Sequence, residues 1–461
     1  MLNLVNFSGK PFHFIGIGGI GMSALAHILA RQGYQVSGSD LNENRITEQL
    51  RKLGVKVYKG HSADNIDVVS HPQVVCSTAI NPQNPEYQAA KSMDLPILHR
   101  SDVLAALISQ FKSIAVSGTH GKTTTSSLIS FLLLRAGLDP TIVIGGEVKA
   151  WEGNARLGEG EYLVAEADES DGSLVKFSPH LGVITNIELD HPDHYHSLEQ
   201  VISTFQAFAK RCEVVVVCTD CLNTKQHIQP HITYSLTDTS ADYSATQVEY
   251  DSDLTRATIL EKGKPLGVIE LSLLGQHNLA NALAAIAVCR YAGVDWQAIQ
   301  TALPDFSGAS RRFEFKGEQD GITFVDDYAH HPSEIRATLA SARQQGHKQI
   351  VAIFQPHRYS RTVKFLPEFS RAFDDADTVI VTDIYAAGEP NQDGITGAQV
   401  AEAIAFNHPN VHYQPSLNSV QSFLIKQLKS GDLALFLGAG NLNQIIAPTI
   451  AVMASCLPVQ L

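Results

Sequence analysis

The sequence predicts a three-domain α/β chain. Three observations carry that reading: its 461 residues, short apolar strands alternating with helical runs, and two glycine turns that each follow a strand and open a helix. A single compact core stops growing near about 250–300 residues, so this length calls for roughly three domains, expected at residues 1–110, 111–311 and 312–461.

In the first unit a strand at Phe12 to Ile17 runs into Gly16-Ile-Gly18-Gly19-Ile-Gly21, followed by a helical run from Met22 to Gln32. Gln35 to Gly38 and Val74 to Ser77 read as further strands. The second unit opens with strand Ile114 to Ser117, followed by strands at Tyr162 to Ala167, Gly182 to Asn186 and Glu213 to Cys218. Short alternating polar sequence between Thr237 and Leu273 suggests a small antiparallel insertion. A helix is expected from Asn278 to Ala292, with Gly293 just past its end. Leu303 to Gly317 reads as a connection, because Pro304, Ser307 and Gly308 punctuate it. The third unit has strands at Thr323 to Asp326, Ile350 to Phe354, Thr378 to Thr382 and Leu433 to Leu437, with a helix at Ser333 to Gln344.

Net charge is −13, from 34 basic and 47 acidic residues, which argues against a broad nucleic-acid-binding face. No apolar stretch reaches the roughly 18 residues of a membrane helix, and Met1 to Lys10 carries no apolar leader core. The six cysteines are scattered, and the single pair Cys218/Cys221 has no second pair at zinc-ribbon spacing. A cytoplasmic protein is the expectation.

The strongest local signal is Gly118-Thr119-His120-Gly121-Lys122-Thr123-Thr124 after a buried strand. Its glycines let backbone amides wrap a phosphate, the following helix adds positive partial charge, Lys122 neutralises β/γ oxygens, and Thr123 offers a hydroxyl to Mg²⁺. The loop departs from the common GxxxxGK[ST] spacing: Val116 stands where the outer glycine would fall.

The first turn, with Gly16, Gly18, Gly19 and Gly21, matches GxGxxG, and Asp40 ends the next strand. That pattern fits a dinucleotide, but equally any pyrophosphate at a helix N-terminus. A nicotinamide enzyme would leave Gly118–Thr124 without a role; a non-catalytic nucleotide binder would not need the acids and histidines that follow. Those lie at two strand ends, Glu166-Ala-Asp-Glu-Ser-Asp171 and Asn186-Ile-Glu-Leu-Asp-His191-Pro-Asp-His-Tyr-His196. Ligands of parallel α/β sheets gather at such ends. Glu166 and His191 are the chosen metal ligands, and most of the remaining acidic run is expected to be solvated loop charge.

Together these motifs resemble the Mur ligases of peptidoglycan synthesis over essentially the full chain. The resemblance rests on Gly118-Thr-His-Gly-Lys-Thr-Thr124, His277-Asn278-x-x-Asn281, Arg311-Arg312-Phe, Asp326-Asp-Tyr-Ala-His-His-Pro332 and Phe354-Gln-Pro-His-Arg-Tyr-Ser-Arg-Thr362. It implies a Rossmann-like N-terminal UDP-binding domain, a central P-loop ATPase domain and a Rossmann-like C-terminal amino-acid domain. The implied reaction is ATP-dependent phosphorylation of the lactyl carboxylate of UDP-N-acetylmuramate, followed by attack of the L-alanine amine. Attachment of a whole peptide to the same sugar is the second choice within the family.

Residue by residue, the resemblance assigns Lys122 to the β/γ-phosphates, Thr123 to one Mg²⁺, Glu166 and His191 to a second Mg²⁺, and Asn278 and Asn281 to the adenine side. Arg312 matches the phosphate-contacting arginine and Asp327 the ribose-side acid, although Asp326 beside it could fill that place. Gly16 to Gly21, Asp40 and Ser77 would hold the UDP-sugar. Tyr328, His330, Arg358 and Arg361 would surround the alanine, with His357 a weaker candidate. Sister ligases bridge metals with a carbamoylated lysine; Ala165 to Ser173 offers none, and Lys176 is not given that role. Partners are expected to be small molecules, with the chain a monomer or weak homodimer.

Overall fold

The computed structural model describes residues 5–455 and contains three sheets in chain order. The first is all parallel, with strands ordered Lys56–Lys59, Val36–Asp40, Phe12–Ile15, Gln73–Cys76, Ile97–His99. The order reverses between Phe12–Ile15 and Gln73–Cys76, so a crevice opens where Gly16–Gly21 and Ser77 leave their strands. Helix Ile20–Arg31 follows the turn, with Met22, Leu25, Ile28 and Leu29 buried.

Ten strands form the second sheet. Its chemistry-bearing centre is strand Lys112–Ser117, paired in parallel with Leu181–Ile184 on one side and Tyr162–Glu166 on the other. All three end at the same edge, which sets the phosphate loop between the two acidic runs. Helix Lys122–Arg135 starts at the loop and packs on helix Gln276–Tyr291; both are buried along most of their length, which explains why neither shows a polar face. The antiparallel strands Tyr243–Tyr250, Thr255–Glu261 and Lys264–Leu271 are present, but they extend this sheet through Tyr243 and Ser244 instead of forming a separate insertion.

The third sheet runs Glu314–Gln319, Ile322–Asp327, Asp432–Leu437, Gln349–Phe354, Thr378–Val381, Val411–Tyr413. The stretch read as a connection therefore ends in an edge strand. Asp320 and Gly321, at φ 55° and 73°, make a tight two-residue hairpin turn that pairs Gln319 with Ile322. Apolar residues cover both sheet faces: Val325 and Phe354 on one, Phe324 and Ile353 on the other.

The domains meet over apolar surface. One cluster runs from Phe12 and Phe14 of the first unit to Ala165, Phe177 and Phe208 of the second, and Leu189 packs against both this cluster and the C-terminal one. No described helix is long and apolar enough to cross a membrane.

Candidate active site

The phosphate loop has one backbone path open to it. Gly118 has φ 139°, and a Cβ there would collide with Thr185. Gly121, at φ 81°, caps the helix, and a Cβ there would sit 2.5 Å from Asn281 Oδ1. Residues of the neighbouring strand end hold the loop: Thr119 N–H donates to Asn186 O, His120 N–H to Asn186 Oδ1 at 2.8 Å, and the Thr185 hydroxyl to His120 O at 2.6 Å. Asn281 thus braces the loop from behind, and its Oδ1 also accepts from Thr125.

Lys122 Nζ donates to Gly118 O at 2.7 Å and to Glu169 Oε2 at 2.8 Å. Burial opposes its charge, but Glu169 and Asp168 outweigh that, and its pKa is raised. Glu169 is 1% exposed, so the solvated-loop expectation for this acidic run fails here. Asp168 and Asp171 are also engaged, by Arg100 at 3.4 and 3.0 Å, and Asp168 and Glu169 lie with His191 in one cluster. The run folds back over the loop because Lys122 and Arg100 supply the countercharge.

Glu166 accepts from the Thr123 hydroxyl at 3.2 Å and from Gly145 N–H at 2.8 Å. Two neighbouring oxygens of an octahedral Mg²⁺ bound at about 2.1 Å stand about 3 Å apart, so the Thr123–Glu166 pair has the spacing and the hard oxygen chemistry that Mg²⁺ requires. His191, at φ 54°, turns its ring toward Glu169 and Asp190, at 3.8 and 3.7 Å. Lys176 is engaged elsewhere, 2.6 Å from Asp102.

Two cavities meet at this loop. The larger, about 480 Å³, is lined from all three sheets. Gly19, Gly21 and Ser77 come from the first, the loop with Glu166 and His191 from the second, and Arg312, Tyr328, His330, Arg358 and Arg361 from the third. The smaller, about 360 Å³, takes Thr124, Asn278, Asn281 and Asp327. His120, Gly121, Arg312 and Glu334 line both. Asp327 faces the smaller cavity and accepts from Phe313 N–H and Ala329 N–H, while Asp326 is paired with Arg311 at 3.2 Å; the two adjacent acids separate cleanly. Asp40 lies behind its turn, accepting the Gly18 N–H at 2.9 Å, and is absent from the cavity lining.

Asp190, Glu188 and Glu334, which the sequence did not single out, tie the domains together through residues that it did. Asp190 and Arg361 form a buried ion pair at 2.9 Å between the second and third sheets' loops. Glu334 accepts from His330 N–H at 3.0 Å and lies 3.2 Å from His120 Nδ1. His120 also lies 3.4 Å from Glu188; burial opposes its protonation, but the two carboxylates outweigh that and lift its pKa to about 10. Asp190 stood beside His191 in the quoted run, and Glu334 sits at the third position of a helix that His331 caps, a signal legible only as a cap.

Three family models match in order: the Mur ligase family, catalytic domain at residues 11–112, the Mur ligase middle domain at 116–289, and the Mur ligase, glutamate ligase domain at 311–440. The chain belongs to the Mur ligase family. Among its relatives, the UDP-N-acetylmuramate–L-alanine ligase of Nostoc punctiforme is 58% identical, with 99% of each chain covered. The protein of that name from Thermosynechococcus vestitus is 58% identical over 97% of each. The crystal structure of a UDP-N-acetylmuramate-alanine ligase from Thermotoga maritima superimposes with a TM-score of 0.84 at 30% identity, covering 97% of this chain and all of that one. A murein peptide ligase from Psychrobacter arcticus, at 23% identity and TM-score 0.72, shares the Mur ligase fold.

Proposed function

We propose that this Mur ligase joins L-alanine to the lactyl carboxylate of UDP-N-acetylmuramate, with ATP converted to ADP and phosphate, in peptidoglycan precursor synthesis. The observation that carries the reading is the junction of two cavities at one phosphate loop, together with full-length relatives of that name. The smaller cavity takes the adenosine of ATP against Asn278, Asn281 and Asp327. The γ-phosphate then lies at Lys122, where the larger cavity begins. UDP occupies the first glycine turn, Gly16 to Gly21 with Ser77, and its sugar reaches toward Glu166. The alanine sits among Tyr328, His330, Arg358 and Arg361.

The reaction runs in two displacements. The lactyl carboxylate oxygen attacks the γ-phosphorus and ADP leaves; the alanine nitrogen then attacks the acyl carbon and phosphate leaves. Lys122 and the loop amides hold the transferring phosphoryl group, and Arg312 balances charge developing on it. Thr123, Glu166 and His191 would hold Mg²⁺, which when bound neutralises phosphate oxygens. Apolar packing between the domains keeps water from the acyl phosphate. We assign the reaction to the cytoplasm, where ATP is held, and take the working unit to be a monomer or weak homodimer, since one chain lines both cavities.

The test is phosphate release. It is expected only when ATP, UDP-N-acetylmuramate and L-alanine are all present; release indifferent to either cosubstrate would overturn the reading, and faster coupling of a tripeptide than of alanine would redirect it. Replacing Glu166 with Gln is expected to keep the fold while removing the one negative charge among these three ligands. The variant is expected to need on the order of 10–100-fold more Mg²⁺ for half-maximal rate, read from a magnesium titration at fixed ATP.

A further inference from the structure

Two imidazoles of the larger cavity have their tautomers fixed by what they touch. His330 Nδ1 lies 2.9 Å from the carbonyl oxygen of Tyr328 and 3.3 Å from Glu334 Oε2. Both partners only accept, so Nδ1 carries the hydrogen and Nε2 of the neutral ring carries the lone pair. The opposite holds for His357. Its Nδ1 lies 3.2 Å from Arg361 Nη1, which only donates, so its hydrogen is on Nε2. The rings stand 5.8 Å apart, centroid to centroid, and both line the cavity.

Burial keeps both rings neutral. It lowers His330 to about 4, with Glu334 and Asp190 opposing and Arg361 adding, and lowers His357 to about 2, with His330, Arg361 and Arg358 adding and Asp190 opposing. The pocket therefore presents one proton acceptor and one donor. Behind the acceptor stands the buried Glu334 carboxylate, which stabilises an imidazolium as it forms, as the acid of a hydrolase triad does.

We propose that His330 is a catalytic base: its Nε2 takes the proton from the amine nitrogen of the amino acid as that nitrogen attacks the acyl phosphate. The inference rests on the alanine subsite assigned above. Alanine enters the step as the free amine. The nitrogen forms its bond to the acyl carbon, one N–H proton passes to His330, and the carbon–oxygen bond to phosphate breaks with its electron pair on phosphate. The imidazolium then protonates the departing phosphate, restoring neutral His330. His357, with its Nε2–H, is a donor for the alanine carboxylate.

Hydroxylamine separates the two half-reactions, because it is already unprotonated at neutral pH and traps an acyl phosphate without help from a base. His330→Asn retains an amide donor for the Tyr328 carbonyl. It is expected to form hydroxamate from ATP and UDP-N-acetylmuramate at the unsubstituted rate, while kcat for alanine falls about 10²–10⁴-fold with KM for alanine little changed. His330→Ala is expected to behave alike and to regain coupling with added imidazole. A raised KM with unchanged kcat would reduce His330 to a binding residue and overturn the proposal, as would parallel loss of hydroxamate in both variants. No hydroxamate from the unsubstituted protein would overturn the acyl-phosphate reading itself, and the base role with it.

Discussion

Lys122→Ala is expected to slow acyl-phosphate formation by about 10³-fold or more while leaving affinity for the UDP-sugar largely unchanged. The magnitude follows from position. The ammonium group is folded against Gly118 O and Thr119 O, beside the N-terminal end of the helix that opens at Lys122. Removing it subtracts a full charge where the γ-phosphoryl group must lose its bond to ADP. The selectivity follows from topology, because Gly16–Gly21 and Ser77 belong to a different sheet from Lys122. Folding should survive the change: burial already pushes the Glu169 carboxyl up against the pull of Lys122, so Glu169 takes a proton when its partner is gone. Quenched-flow hydroxamate trapping and calorimetric titration of the UDP-sugar read the two quantities. Equal losses in both would contradict the separation of the sites.

The second large effect concerns stability as well as turnover. Arg361→Ala removes the partner of Asp190 in a pair that is almost wholly buried, with Nε and Oδ1 2.9 Å apart. Stripping one member of a buried pair costs about 3–5 kcal/mol, because the other charge stays behind without compensation. Lys in its place should recover little, since Arg361 uses Nε toward Asp190 and Nη1 toward His357 at once. Burial opposes ionisation of Asp190, but Arg361 outweighs it and holds the carboxyl well below its ordinary value of about 4. A group depressed in the folded protein contributes stability that is present above its unfolded pKa and is lost as pH falls through the folded one. The gap in melting temperature between the unsubstituted protein and Arg361→Ala should therefore be full at neutral pH and shrink below about pH 4. A gap constant down to pH 3 would show that packing, not the charge pair, is what was lost.

The fold was legible where local signals were strong. Strand, glycine turn and helix came through twice, at Gly16–Gly21 and Gly118–Thr124, because each turn needs residues that few other contexts need. The edge strand Glu314–Gln319 was hidden by the glycine and proline that precede it, and the hairpin at Asp320–Gly321 is a two-residue signal in an otherwise polar stretch. In the site, residues fixed by the chain's own path were readable: Lys122 at a helix start, Glu166 at a strand end. Glu169, Asp190, Glu334 and Arg100 were not, because their meaning lies in partners 47 to 214 residues away. A buried carboxylate and a solvated one look alike until the countercharge is located. Asp326 and Asp327 make the same point, since only the fold shows which one Arg311 occupies.

The central claim is that the sugar's carboxylate is phosphorylated before the amine arrives. UDP-N-acetylmuramate carrying heavy oxygen in both carboxylate positions tests it directly when turned over with ATP and L-alanine. The account predicts that the phosphate released contains one labelled oxygen per turnover and the amide product keeps the other. Unlabelled phosphate, with the displaced label found in water or in ADP, would contradict it.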